Sequence, residues 1–365
     1  MHVIVNRQQI SQYTQALERV TGKQLNLDVL RCILLEARRE TLVLRATNLD
    51  IGIEVIIQAE TKKEGTVAVP APTLSGFLEN TAGDTIELSQ KEGGLLVSSK
   101  TARATLTILS HEDFPILPRT KGVTVSISQE KLASGLRAVW YAAATSTMKP
   151  ELSSISVASD GDLLVFAATD SFRLAEKRVQ LGTNLDLPTL LIPVKNTGEI
   201  IRTLEQAGGG EASVTASDNQ VSIVCGDVHI TSRLVDGTFP DYKQIVPKEH
   251  ATEVTVLKQD LVQALKVSSV FVNKFNQVTF SIHPKQKTFS VDTAGGDTGE
   301  SSVALDAALS GEPVQIGFNQ KYITDSFQSI GDDSVTLKLS GPGKPMVIRG
   351  TGDATFTYLT MPMSR

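Results

Sequence analysis

Apolar and polar residues alternate with period two along much of this chain. Ala102-Arg103-Ala104-Thr105-Leu106-Thr107-Ile108 and Gln220-Val221-Ser222-Ile223-Val224 are typical, and such alternation predicts antiparallel strands with one buried face. Helical spacing interrupts it at intervals. Val3-Ile4-Val5-Asn6 leads into an amphipathic segment ending at Val20. The same strand-then-helix pattern returns at 123–128 with Leu132, Leu136 and Val139, and at 254–257 with Leu261, Ala264 and Leu265. A second strand, helix and Gly-turn pattern also occurs three times. It reads 66–70 with Leu74, Phe77 and Leu78 before Gly83-Asp84, then 190–193 with Ile200, Ile201 and Leu204 before Gly208-Gly209-Gly210. The third copy is 314–319 with Tyr322, Ile323 and Phe327 before Gly331-Asp332.

Between these lies a third marker, Ala46-Thr47-Asn48, Ala168-Thr169-Asp170 and Val291-Asp292-Thr293. The first two copies close on His111-Glu112-Asp113-Phe114-Pro115 and Asp236-Gly237-Thr238-Phe239-Pro240. A triple repeat at about 120 residues predicts three similar α+β domains, 1–120, 121–248 and 249–365, each with two helices against about eight strands. The connections at 117–122 and 245–250 are short and carry proline, so the domains are expected to form a rigid series.

Composition narrows the class. The 365 residues are 41% hydrophobic and 21% charged with net charge −5, which fits a folded soluble protein. The longest apolar runs, such as 163–168, are about six residues, against the roughly 20 that a membrane-spanning helix needs. The N-terminus lacks a basic cluster followed by a signal-length apolar core, so a cytoplasmic location and no membrane partner are expected. Cys32 and Cys225 fall in apolar strand-like runs and read as small core residues.

Catalytic chemistry is not expected. The five histidines, His2, His111, His229, His250 and His283, are scattered, with no metal-binding spacing, so no metal and no cofactor are predicted. The Gly-rich stretches lack the lysine and hydroxyl of a phosphate loop and read as turns. Thr169-Asp170-Ser171 sets a hydroxyl beside a carboxylate, but no histidine is nearby in sequence to act as base. A hydrolase built on Asp170 is the rival enzyme reading, and a β-rich binding module is the other rival. The six repeat helices (7–20, 72–82, 128–146, 193–207, 257–271 and 319–330) carry nine basic and seven acidic residues, leaving 26 and 33 elsewhere. The helices are thus more positive than the remainder of the chain, though solvated helix faces often carry Lys and Arg.

Four motifs, 168–175, 234–242, Ile316-Gly317-Phe318-Asn319 and Met361-Pro362-Met363, closely resemble the bacterial DNA polymerase III β subunit family, the sliding clamps. The resemblance covers the whole chain, with its length, its three repeats and the order of the motifs. It implies three repeated DNA-clamp domains, each with two helices packed on antiparallel sheets, assembling head to tail into a homodimeric ring. In that family helices line the hole and sheets form the wall. The ring encircles duplex DNA without sequence preference and acts as a processivity factor in DNA replication. It tethers the polymerase III α subunit and also binds the clamp-loader complex, other DNA polymerases and repair proteins through short peptide motifs.

The resemblance further implies DNA-facing roles for Lys23, Arg137, Lys149, Lys195, Arg202, Lys266, Lys274 and Lys321. It implies a partner-peptide pocket between the second and third repeats, made of Leu152, Thr169, Phe172, Arg173, Leu174, Pro240, Ile245, Asn319, Tyr322, Met361, Pro362 and Met363. For Leu174 and Ile245 ordinary core packing is the plainer alternative. Phe172 and Gln244 stand where members often have histidine and arginine, and Pro72 where they often have a basic residue. Lys149-Pro150-Glu151 lacks the aromatic residues that some members have beside the DNA. Ring closure is expected to use an edge strand at about 101–109 and a helix end near 268–274.

Overall fold

A computed structural model describes residues 1–22, 27–182, 184, 186–294 and 299–363. Among them are six α-helices and 25 strands, eight, eight and nine strands in the three successive repeats. The helices are α1 (Arg7–Val20), α2 (Ala71–Glu79), α3 (Gln129–Val139), α4 (Val194–Gln206), α5 (Lys258–Ser268) and α6 (Gln320–Ser326). Each one starts directly from the end of a strand, so the repeated strand-then-helix pattern holds six times. The helix expected over 128–146 stops at Val139 and continues only as one tighter turn, Trp140–Ala142. The α1 start is capped by Asn6, whose side chain accepts the N–H of Gln9 at 3.0 Å. Asn319 caps α6 in the same way through Lys321 and Tyr322, an orphan-donor solution favoured by Asn.

The chain folds into two compact units, residues 1–133 with 186–234 and residues 134–185 with 235–365. In the first, strands follow the order 103–106, 94–98, 85–91, 2–6, 51–63, 228–233, 220–225, 211–216 and 123–128. Strand 51–63 organises this sheet. One edge takes 41–47; the other takes 228–233 along its first half and 2–6 along its second. Ile51, Ile53, Val55 and Ile57 along it are buried, as are its registered partners Val228 and Ile230. Helix α1 packs on α2 and α4, and Arg19 on α1 meets Glu199 on α4 at 2.8 Å. Cys32 and Cys225 are buried free thiols, as the apolar context predicted.

The second unit contains one sheet with strands 154–160, 163–169, 173–180, 356–360, 346–350, 334–339, 252–257 and 307–311 in that order. A four-stranded sheet runs 300–305, 288–294, 277–283 and 314–319. Phe280, Phe289 and Phe318 form its aromatic core at centroid separations of 5.4 and 5.7 Å. The pairing of 173–180 with 356–360, with Leu174 opposite Leu359, brings sequence-distant residues together at the candidate site.

Two further sequence expectations change. The edge strand predicted at 101–109 is only Arg103–Leu106, because Leu109 turns away and donates its N–H to Ala68 O at 2.9 Å. The third marker is not equivalent to the first two. Asp292 lies within strand Thr288–Ala294 and accepts hydroxyls of Ser281 and Ser290 at 2.7 and 3.0 Å.

Candidate functional site

The site begins at a turn. Thr169 Oγ1 donates to Arg173 O at 2.6 Å and accepts the N–H of Ser171 at 3.1 Å. Asp170 Oδ1 accepts the N–H groups of Phe172 and Arg173 at 2.9 and 3.0 Å. The first repeat builds the same turn. Thr47 Oγ1 donates to Ile51 O at 2.9 Å, and Asn48 Oδ1 accepts the N–H groups of Asp50 and Ile51 at 3.0 Å. Ser171 and Leu49 occupy matching left-handed positions, φ +77° and +76°. These residues are self-bonding turn formers, which explains the Thr-Asx marker in both repeats. Asp170 is held entirely by this turn and by Arg173, whose Nε donates to Oδ2 at 2.9 Å. These bonds give the carboxylate a scaffolding role in the turn.

Arg173 fastens the turn to α6. Its guanidinium also donates to Asp325 at 2.6 Å and lies over the Tyr322 ring, 4.6 Å from the centroid. Burial works against this charge, but Tyr358, Asp325 and Asp170 outweigh it and hold the guanidinium above its ordinary pKa. Tyr358 is fully buried and donates to Tyr322 O at 2.8 Å. Burial, reinforced by the charge of Asp170, raises the Tyr322 phenol.

Two cavities are lined by the residues that flank Arg173 in sequence, one by Phe172 and the other by Leu174. The larger, about 400 Å³, is lined by Phe172, Asn319, Tyr322, Met361, Pro362 and Met363, together with Lys274, Phe275 and Asn276. The terminal segment is tied down by two backbone bonds of 2.8 Å, Met361 N–H to Phe172 O and Met363 N–H to Gly317 O. Phe172 and Phe275 are 61% and 57% exposed, and exposed aromatic groups of this size mark interaction surfaces. The smaller cavity, about 260 Å³, has Leu174, Leu359, Val246 and Tyr242 as its apolar lining, with Glu176, Arg178, Lys243, Lys248 and Arg349 among its polar groups. Tyr242 donates to Glu176 at 2.6 Å, and burial, then that bond, raises its pKa.

Seven of the twelve residues expected in the pocket line one of these cavities. The other five do not. Leu152 and Thr169 are buried, and Arg173 is taken up by its ion pairs with Asp170 and Asp325. Pro240 O accepts the Tyr242 N–H at 2.8 Å, and Ile245, 52% exposed, donates its N–H to Tyr242 O at 3.0 Å. Both therefore shape the short turn that presents Tyr242. Gln244 donates to Asp241 at 2.6 Å. Sequence reasoning missed Tyr242, Val246, Leu359, Arg349 and Phe275. The Tyr242 signal was available, since it ends the 234–242 motif.

Of the eight residues expected to face DNA, Lys23 lies outside the described residues. Arg137, Lys149, Lys195, Arg202, Lys266 and Lys321 are exposed. In the first unit Lys195 pairs with Asp50 at 2.6 Å and Arg202 with Glu199, so their charge is partly neutralised. Lys274 lines the larger cavity, 5.2 Å from the Phe275 ring centroid.

A triply repeated α+β chain, with six helices each issuing from a strand and a tied-down apolar C-terminal segment, defines the DNA-clamp class of folds. The family models for the N-terminal, central and C-terminal domains of the DNA polymerase III beta subunit match residues 1–118, 126–241 and 243–364. The chain belongs to the DNA polymerase III beta subunit family. It is 28% identical to the beta sliding clamp of Synechocystis over 387 aligned residues, covering all of this chain and 99% of that relative. A sliding clamp (DNA polymerase III subunit beta) of Bartonella birtlesii, solved bound to griselimycin, superposes with TM-score 0.94 at 28% identity over the whole of both chains. The Thermotoga maritima beta subunit shares the fold at TM-score 0.94 and 24% identity, covering all of this chain and 99% of that one.

Proposed function

We propose that this chain is the sliding clamp of a DNA polymerase III. Two copies close head to tail around duplex DNA, and the cavities of the second unit bind short peptide segments of the polymerase and other replication proteins. The observation that carries this is the family match along the entire chain, joined to a C-terminal Met-Pro-Met segment held against an exposed aromatic pair.

Further features support the reading. Strand Arg103–Leu106 ends the sheet of the first unit, and strand Glu300–Leu305 ends the four-stranded sheet of the second. Helix α5 packs on the latter, and Val267 and Val270 near the α5 end are 40% and 67% exposed. Unpaired edges beside exposed apolar groups are pairing surfaces unless protected. The exposed helix cations are few and partly paired, which suits a ring that is retained by topology and must still slide, since tight phosphate binding would oppose movement.

Retention tests the ring. The protein, loaded by its clamp loader onto a singly nicked plasmid, is expected to co-elute with circular DNA and to be lost after linearisation. Equal retention on linear DNA would overturn the topological reading. Met363→Ala tests the pocket: truncating a central apolar anchor is expected to weaken a labelled cognate polymerase peptide by about thirtyfold in fluorescence anisotropy, with the dimer unchanged.

A further inference from the structure

We infer that the connection between the first two repeats is an acid-released strap: Arg119 clasps it to the first unit, and a proton taken up by His229 displaces Arg119. Among the described residues, 115–122 make no backbone hydrogen bond, and Pro115 and Pro118 have no N–H to offer. Side chains hold the segment down. Leu117 rests on strand 51–63 at Gly52, where a Cβ would lie 2.5 Å from Leu117 Cδ2, so only glycine leaves room. Thr120 adds one long bond to Gln220, 3.4 Å. Arg119 supplies the rest, donating to Glu54 Oε1 and to His229 Nδ1, both at 2.6 Å. It thereby pins the strap to two paired strands at once, 51–63 of the first repeat and 228–233 of the second.

The clasp depends on a neutral ring. Arg119 can only donate, so His229 Nδ1 accepts, and Nε2 carries the ring proton toward Ser222 at 2.6 Å, with the Thr231 hydroxyl 3.4 Å away. A second proton has one place to go, Nδ1. There it removes the acceptor and sets a positive ring 2.6 Å from a guanidinium nitrogen. One cation must then leave. Glu54 is shared by Arg45 and Arg119, but Arg45 is also held by Glu36 at 2.8 Å. The Arg45 side chain is 20% exposed and that of Arg119 65%, so Arg119 is the one that water can take over. His229 stands opposite Glu54 in the strand register, and the Nδ1–H of the charged ring can replace Arg119 at that carboxylate. One proton enters from water and one cation passes to it. Burial and the Arg119 charge lower the His229 pKa, while Glu54 raises it. Losing Arg119 removes one of the two lowering influences. The open strap therefore binds the proton more readily, and falling pH opens it.

A nitroxide spin label at Ile116→Cys, next to Leu117 at a position 93% exposed, tests this. The native thiols stay unlabelled, since both are buried, and burial pushes Cys32 up to about 11 and raises Cys225 as well. Electron paramagnetic resonance between about pH 7.5 and about pH 5 reads strap mobility, and far-UV circular dichroism on the same samples reads the fold. Burial alone would raise the Glu54 pKa, but Arg45 and Arg119 hold it below the ordinary carboxylate value, so His229 is the member of the clasp that titrates in this range. The ratio of mobile to immobile label is expected to rise by about tenfold with the circular dichroism unchanged. His229→Gln, added to the labelled protein, should show no such step. Arg119→Met, an exposed substitution, should leave the label mobile at every pH, again without a step, and covers the case in which His229→Gln does not fold. A step that survives in either variant, a label held as firmly in Arg119→Met as without it, no step at all, or a step that coincides with loss of the circular dichroism would overturn the inference.

Discussion

Asp170 and Arg173 hold the site together residue by residue, and the first repeat supplies an internal control. Asn48 makes the same two backbone bonds as Asp170 without a charge. Asp170→Asn should therefore keep the turn and lose only part of the Arg173 pairing, which Asp325 still satisfies. Asp170→Ala removes the turn as well, at a position where both partners of the ion pair are at least 86% buried by side chain. We expect about 1 kcal/mol for Asn and about 3 kcal/mol for Ala in urea denaturation; equal costs would show that the backbone bonds contribute nothing. The turn itself was legible in the sequence, because Thr-Asx is a local signal. Met361, Pro362 and Met363 were legible by resemblance. Arg349 and Leu359 were not, because they reach the cavity only through the register of strands distant in sequence, and no local pattern encodes that register.

Strand 51–63 shows how an element reads differently alone and in its sheet. Alternation predicts a polar face, yet Glu54 on that face is 5% exposed. It is covered by Arg45 at 2.6 Å, by Arg119 of the 117–122 connection at 2.6 Å and, beside them, by buried His229. Arg119 can only donate to His229 Nδ1, 2.6 Å away, so the ring proton sits on Nε2 and donates to Ser222 at 2.6 Å. Burial and then the Arg119 charge lower the His229 pKa. Burial alone would raise the Glu54 pKa, but hydrogen bonds and charges from Arg45 and Arg119 hold it below the ordinary carboxylate value. Both groups bind protons more readily when unfolded, so both make the protein less stable as pH falls. The His229 contribution is present above about pH 6.5 and is lost as pH falls from there through its folded value. The Glu54 contribution is present above about pH 4.3 and is lost below it. Chemical denaturation across pH should show His229→Gln flattening the upper part of this acid slope and Glu54→Gln the lower part. An unchanged slope in both variants would refute the assignment. Strand count, helix starts and the two core cysteines followed from the periodicity, whereas the ion-paired underside of this strand depended on which elements happened to cover it.

For the whole molecule, the consequence of greatest weight is how firmly a ring of two copies would stay closed. At the edge expected to close the ring, the first unit offers four residues, Arg103–Leu106, half of what the alternation at 101–109 suggested, because Leu109 has left to bridge Ala68. A short edge limits the ladder of backbone bonds, each of which nets only about 1 kcal/mol. Side chains add little on this strand. Leu106 is already 5% exposed within its own unit, Ala104 has a single methyl, and Ser269 is an exposed hydroxyl at the α5 end, leaving Val267 and Val270 as the apolar surface on the opposite side. With each buried methylene worth about 0.8 kcal/mol, such an interface should release measurable monomer at low nanomolar concentration. Fluorescence-detected sedimentation velocity reads this directly. Ala104→Leu adds three carbons on the half-buried face of this edge strand and should shift the midpoint toward dimer by about tenfold or more, while leaving the melting temperature of the isolated protomer nearly unchanged. A wild-type protein that stays wholly dimeric at the lowest detectable concentration, or an Ala104→Leu variant with no tighter association, would place ring closure on some surface other than these two edges.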